Sequence, residues 1–284
     1  MTYDLAYEDS VKEYFADKAE EYDLVDQQEY WNLSDRLLWS VFSRTLDELP
    51  EDFRFLDAGG GTGRWSSKIL EAYPKARGVL FDLSVEMSQK AREKAERNGW
   101  SDRFEVVNGR LEEIDCSPVT GPFDIVFNFH NVLGFVQDVE DVLRRLSTLV
   151  APGGYLLSFV PNRYHVMFFN IMTRQLDEAE HPTVSRRGRF TTTMPHMHVF
   201  TPAQLENVYR RLDLEPVLTT GFPNLIYPGY QETQLRGQTE TLASILGDAD
   251  SFERIYRLER AVLEEPGIAP RSNNLYVLGR KLAR

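Results

Sequence analysis

Residues 55–65 read Phe-Leu-Asp-Ala-Gly-Gly-Gly-Thr-Gly-Arg-Trp, and no other run constrains the fold as tightly. A short apolar stretch ends in Asp57, glycines follow at 59, 60, 61 and 63, and residues 64–70 read as helix. Strand, tight glycine turn and helix follow one another. Glycine lacks a Cβ, so the backbone can lie close against a nucleotide-like ligand. The helix N-terminus adds free N–H groups and a positive dipole end. The spacing Asp57-x-Gly59-x-Gly61-x-Gly63 is not the dinucleotide pattern G-x-G-x-x-G. A glycine turn in some other α/β protein is the competing reading.

The rest of the chain alternates strand and helix signals. Residues 9–21 and 33–48 carry apolar positions at helical spacing. Strands are expected at 53–57, 78–82, 104–107, 123–129 and 155–160. The helix after the glycines stops at Pro74, a second is capped by Ser84 and ends near Asn98-Gly99, and a third spans 139–150 before Pro152-Gly153-Gly154. Strands alternating with helices imply a doubly wound, mainly parallel sheet of the Rossmann-like α/β class. Ligands of such sheets sit at the C-terminal strand ends, where Asp57, Asp82, Arg110 and His130 fall. Residues 161–193 break the rhythm with an apolar helix near 164–172 and then a polar, basic loop. Thr201-Pro202 opens another helix, with a sixth strand at 214–219. Residues 221–270 form a second interruption, with a helix near 252–263. A last strand at 275–279 lies close enough to the C-terminus to run antiparallel. The division expected is an N-terminal helical lid (1–50), a cofactor-binding core (51–160), and cap insertions with the remaining core elements (161–284). The two interruptions are expected to fold together as one cap.

Charge and cysteine content bound the function. A net charge of −12 over 284 residues argues against a broad nucleic-acid footprint. The dense basic cluster, Arg186-Arg187-Gly188-Arg189, reads more simply as a solvated loop. One cysteine, Cys116, excludes an intrachain disulfide and a cysteine-based zinc cage. No apolar run reaches membrane-spanning length and the acidic N-terminus carries no signal-peptide core, so the expected location is the cytoplasm.

The glycine motif, Ala19-x-x-Tyr22-Asp23, Asp82 after the second strand, the segment FDIVFNFHNVLGFV and the APGG before the fifth strand together resemble the small-molecule branch of class I methyltransferases, which use S-adenosyl-L-methionine. LDAGGG, HNVL, Arg36-Leu37-Leu38-Trp39 and the stretch from Leu258-Glu259 to Pro266 are similar to a narrower group, the bacterial tRNA methyltransferases that esterify a wobble carboxymethoxyuridine. The resemblance implies that Arg36 holds the methionine carboxylate, where a planar bidentate guanidinium suits the anion. It implies that Gly59 and Gly61 line the cofactor, that Asp82 accepts both ribose hydroxyls, and that Arg110 and Leu111 flank the adenine. Phe129 would contact the cofactor, and His130 would contact it near its sulfonium end. Two departures stand out: many members carry an acid where this chain has Arg110, and the basic residue that the tRNA enzymes place after the sixth strand is replaced by Gly221-Phe222-Pro223-Asn224.

Each site residue has a plainer alternative. Asp57 reads better as a brace for the glycine turn than as a ligand contact. Arg36 could be an exposed helix arginine. Tyr14 and Tyr22 are the aromatics expected at the cofactor, the alternative being a lid packed on the core. His130 is divided between cofactor contact and general base. His196 and His198 point the same way in an extended segment, so a metal pair is conceivable, but no third ligand is evident and no metal is expected. His165 could face the acceptor from the cap. Methyl transfer from a sulfonium needs a base only when the nucleophile arrives protonated, so the motifs define the cofactor and not the acceptor. The expected protein is a methyltransferase acting on a small-molecule substrate. The alternatives are the tRNA wobble-uridine enzyme and a non-catalytic binder of the cofactor.

Overall fold

The structure, a computed structural model, describes residues 4–16, 28–226 and 242–283. Helix α1 (Leu5–Ala16) and α2 (Glu29–Leu46) precede β1 (Arg54–Ala58). Then come α3 (Arg64–Ala72), β2 (Arg77–Asp82), α4 (Val85–Arg97), β3 (Phe104–Asn108), β4 (Phe123–Asn128), a short α5 (Val132–Phe135) and α6 (Val139–Leu149). β5 (Val150–Pro161) is followed by α7 (Arg163–Met172), α8 (Leu176–Ser185), and the small pair β6 (Arg187–Gly188) and β7 (Met197–His198). The chain continues through α9 (Pro202–Arg211), β8 (Leu214–Phe222), α10 (Leu242–Gly247), α11 (Ala249–Val262) and β9 (Asn274–Lys281).

Seven strands form one mixed sheet in the order β3-β2-β1-β4-β5-β9-β8. β1 to β5 are parallel, and β9 runs antiparallel to both β5 and β8, as expected of the last strand. The order reverses between β1 and β4, the switch point at which an open α/β sheet binds its ligand. The central strands are apolar on both faces because helices cover both: Phe55 and Phe127 pack on the side of α2 and α3, and Leu56 and Val126 on the side of α6 and α9. Local capping fixes the helix starts. Ser84 Oγ accepts the Met87 N–H at 3.1 Å, Asp138 caps α6, and Thr201 with Gln204 forms a capping box on α9.

The segment expected to be a basic loop contains α8, which carries Pro182 inside it. Proline and flanking polar residues hid it, and packing against α7 stabilises it. β5 begins at Val150, before the glycines expected to precede it. Among the described residues the two interruptions meet where the Asn162 side chain donates to the Pro270 carbonyl at 2.9 Å, and their helices otherwise pack on different elements. α7, α8 and β6–β7 gather beside α5, whereas α10 and α11 lie on α2.

Candidate functional site

One cavity opens at the switch point, and the glycine turn is its floor. Gly59 (φ +86°) and Gly61 (φ +55°) occupy the left-handed region that favours glycine. A Cβ on Gly59 would stand 2.4 Å from Val132, whereas one on Gly61 would meet nothing nearer than Met87 Sδ at 4.0 Å. Gly61 and Met87 both line the cavity, so that Cβ would fill ligand space. The turn is held from β2. Asp82 Oδ2 accepts the Gly61 N–H at 2.8 Å and Oδ1 accepts the Ser84 N–H at 2.8 Å. Burial raises the pKa of Asp82, and these N–H bonds oppose the rise by favouring the carboxylate.

Arg110, Leu111, Phe129 and His130 line the same cavity. Asp57 does not: it lies beneath the turn, 2% exposed, accepting the Ser66 hydroxyl at 2.7 Å. Burial first, and the nearby Asp82 charge in addition, push its pKa up to about 7. Its carboxyl is thus engaged by Ser66 of α3 and does not line the cavity.

Arg36 lies away from the cavity, against the implied cofactor contact. Its guanidinium forks onto Glu253 of α11 and covers the Tyr256 ring at 4.1 Å. The cause is helical phase. α2 buries Leu33, Leu37, Leu38 and Val41 against the core, which turns Asp35 inward and leaves Arg36 beside α11. Asp35 instead pairs with Arg64 at 2.5 Å, both nearly buried.

Tyr14 stands one layer behind the cavity: its ring packs on Phe15 and Phe135, and those two line it. Tyr22 falls outside the described residues. His165 is buried among Phe168, Phe169 and Phe190, where desolvation lowers its pKa to about 4, and it does not line the cavity. His196 and His198 face different partners. His196 meets Glu178 at 3.0 Å and stacks on His181, whereas His198 meets Arg187 at 3.0 Å. Among the described residues no cluster of three metal-ligating side chains forms.

The main residues missed from the sequence are on α1. Tyr7, Glu8, Val11, Lys12 and Phe15 form one wall of the cavity. Their spacing of three and four is that of one helix face, a signal obscured by starting the helix at residue 9. Glu8 is 7% exposed and pairs with Lys12 of its own helix and with Arg110 at 3.4 Å. The lid thus brings an acid to the position where the end of β3 presents Arg110. Tyr7 ties the lid to the β6–β7 region, its hydroxyl donating to the His196 carbonyl at 2.8 Å. Asp4 and Gln137 exchange two bonds of 2.8 Å.

His130 closes the far end. It and Asn131 are consecutive non-glycine residues at positive φ, +51° and +72°, a conformation that surrounding structure must hold. The Asn274 side-chain N–H donates to Asn131 Oδ1 at 2.7 Å, and Trp65 Nε1–H donates to His130 Nε2 at 2.7 Å.

A glycine turn, a carboxylate at the end of β2 and an apolar wall beyond β4 thus meet in one cavity at the switch point of the sheet. The chain belongs to the methyltransferase domain family, whose model matches residues 30–219. The tRNA 5-carboxymethoxyuridine methyltransferase of Escherichia coli (strain K12) is 32% identical over 146 residues, 51% of this chain and 54% of that protein. A malonyl-(acyl-carrier protein) O-methyltransferase of Legionella pneumophila is 33% identical over 104 residues, 37% of this chain and 34% of the relative. The chain spans about half, or less, of the length of these curated relatives. A chain of the Haloferax volcanii complex between the Trm112 methyltransferase activator and a methyltransferase superposes with a TM-score of 0.61 at 16% identity, covering 96% of this chain and 98% of that one. At that identity the likeness shows the fold, here the class I methyltransferase fold.

Proposed function

We propose that the chain transfers a methyl group from S-adenosyl-L-methionine to a small organic acceptor. One observation carries the reading: the glycine turn, the Asp82 carboxylate, Leu111, Phe129 and His130 converge on a single cavity walled by α1. Asp82 would accept the ribose hydroxyls, Gly59 and Gly61 would let the backbone approach the amino-acid portion, and Leu111 would flank the adenine. When bound, the cofactor supplies an electrophilic methyl on a sulfonium. The protein's task is alignment of the acceptor with that carbon, and orientation alone can contribute ~7–11 kcal/mol. The walls that a pocket for a small molecule requires come, among the described residues, from α1 and from Val132, Phe135 and Val136 after β4.

Calorimetry with S-adenosylhomocysteine tests this reading. One site per chain is expected, weakened by about 1–3 kcal/mol in Asp82→Ala because the ribose hydroxyls lose their acceptor. Unchanged affinity in that variant, or NAD binding instead, overturns it. The 32% stretch shared with the tRNA enzyme favours a second reading, a wobble-uridine carboxyl methyltransferase. Turnover with any acceptor separates both from a non-catalytic binder.

A further inference from the structure

We propose that Trp65 is a positioning residue for His130, fixing its ring as the neutral tautomer protonated on Nδ1. His130 then serves as a hydrogen-bond donor, and the site suits an acceptor that arrives deprotonated, a carboxylate or a neutral amine. This deepens the methyl-transfer reading above and rests on it.

The indole N–H can only donate. Its partner at 2.7 Å is His130 Nε2, so Nε2 supplies a lone pair and carries no proton. A neutral ring must then hold its proton on Nδ1. An imidazolium would set two N–H groups against each other at 2.7 Å. The carboxylate that would favour the imidazolium is Asp35 of α2, whose Oδ1 lies 3.5 Å from Nε2. Its Oδ2 is already engaged by Arg64 of α3 at 2.5 Å, and the two side chains are 6% and 9% exposed. The buried pair is close to neutral overall, which weakens its pull on a proton at His130. From β5 the neighbour is the uncharged Phe159 ring, edge-on at 5.9 Å. Backbone strain at His130 and Asn131, held by the Asn274 amide and by the Phe159 carbonyl at 3.3 Å, leaves the ring little freedom to turn away.

A general base needs an available lone pair. Here that pair is committed to Trp65, and the other nitrogen bears hydrogen. An alcohol or phenol would have no place on His130 to leave its proton. A carboxylate acceptor needs none. Its oxygen forms the C–O bond, the C–S bond breaks, the electron pair stays on sulfur as a neutral thioether, and no proton moves. A neutral amine forms the C–N bond in the same way and leaves as an ammonium, losing its proton to water later.

The test uses the 284-residue chain labelled with ¹⁵N-histidine and saturated with S-adenosylhomocysteine, read by two-bond ¹H–¹⁵N correlation. The His130 signals are those lost in His130→Asn. The Nδ1–H pattern should persist from about pH 5.5 to 8.5, bracketing the ordinary histidine pKa of about 6.5. An Nε2–H pattern, or titration within that range, at the assigned His130 signals of the native protein overturns the proposal. In Trp65→Phe the tautomer should change and the ring should titrate near 6.5; an unchanged Nδ1–H pattern there removes Trp65 from the role. In His130→Asn, which keeps an N–H donor, a loss of ~10²–10⁴-fold in single-turnover methyl transfer to a carboxylate or amine, the size expected of a missing base, overturns the proposal. Methylation of a phenol at a rate that follows His130 deprotonation would equally overturn it. Failure of S-adenosylhomocysteine to bind defeats the methyltransferase reading, whereas binding with a titrating His130 defeats this inference alone.

Discussion

Asp57 and Arg36 show how a residue's neighbours decide its role. Asp57 occupies a motif position, yet its carboxyl is committed to Ser66 under the turn. With its folded pKa at about 7 against an ordinary 3.8, the folded state binds the extra proton. Its contribution to stability is full below about pH 4 and is lost as pH rises toward 7, at about 1.4 kcal/mol per pH unit within that window. Asp57→Asn should abolish that slope, so thermal melts at pH 5 and pH 8 should move in the variant's favour at the higher pH. Parallel curves for variant and native protein would show that Asp57 does not titrate there. For Arg36 the expected outcome is negative. Arg36→Ala should leave S-adenosylhomocysteine affinity unchanged and cost about 0–1 kcal/mol of stability, as an exposed ion pair does. A clear loss of affinity would return Arg36 to the cofactor.

Among the elements, α1 has the largest consequence for function. It supplies a wall of the cavity through Tyr7, Glu8, Val11, Lys12 and Phe15, and its described ties reach the core through Arg110 and Gln137 and the β6–β7 region through His196. Glu8 is the buried charged member of that set. Glu8→Gln keeps the shape and removes the charge facing Lys12 and Arg110, which should weaken lid docking by about 1–3 kcal/mol. S-adenosylhomocysteine should then leave faster in stopped-flow displacement, and amide exchange over residues 5–16 should quicken. An unchanged release rate would show that α1 is a wall and not a gate. α11 has a different task. Its Glu259 is fully buried and accepts the N–H groups of Asn224, Leu225 and Ile226 at 2.8, 2.7 and 3.3 Å, fixing the chain as it leaves β8. The Leu258-Glu259 stretch that suggested kinship with the tRNA enzymes is thus architectural.

At the scale of the whole molecule, charge bears on the choice of acceptor. The chain carries a net charge of −12, and Arg187 and Arg189 of its basic cluster are engaged by His198 and Glu178. Bulk tRNA should not bind at physiological salt. Gel shifts across a salt series check this, because phosphate contacts release counterions and lose affinity steeply as salt rises. Binding at ~10⁻⁶ M or tighter with a steep slope would place the tRNA reading first. No described helix is long and apolar enough to cross a membrane.

The succession of core strands and helices along the chain, the glycine turn and Asp82 at the end of β2 are legible in the sequence. Those features follow from local rules: period-two and period-3.6 patterning, caps, and glycine's freedom at positive φ. The segment 176–185 was misread because Pro182 speaks against a helix locally and only packing on α7 outweighs it. Tertiary structure alone decided the placement of Arg36 outside the cavity, of Asp57 beneath it and of Glu8 within it. It also set the indole of Trp65 on His130, 65 residues away in the chain. Such outcomes depend on which helix face meets which strand end, and a side chain's partner across that distance is fixed only when the sheet brings both ends together.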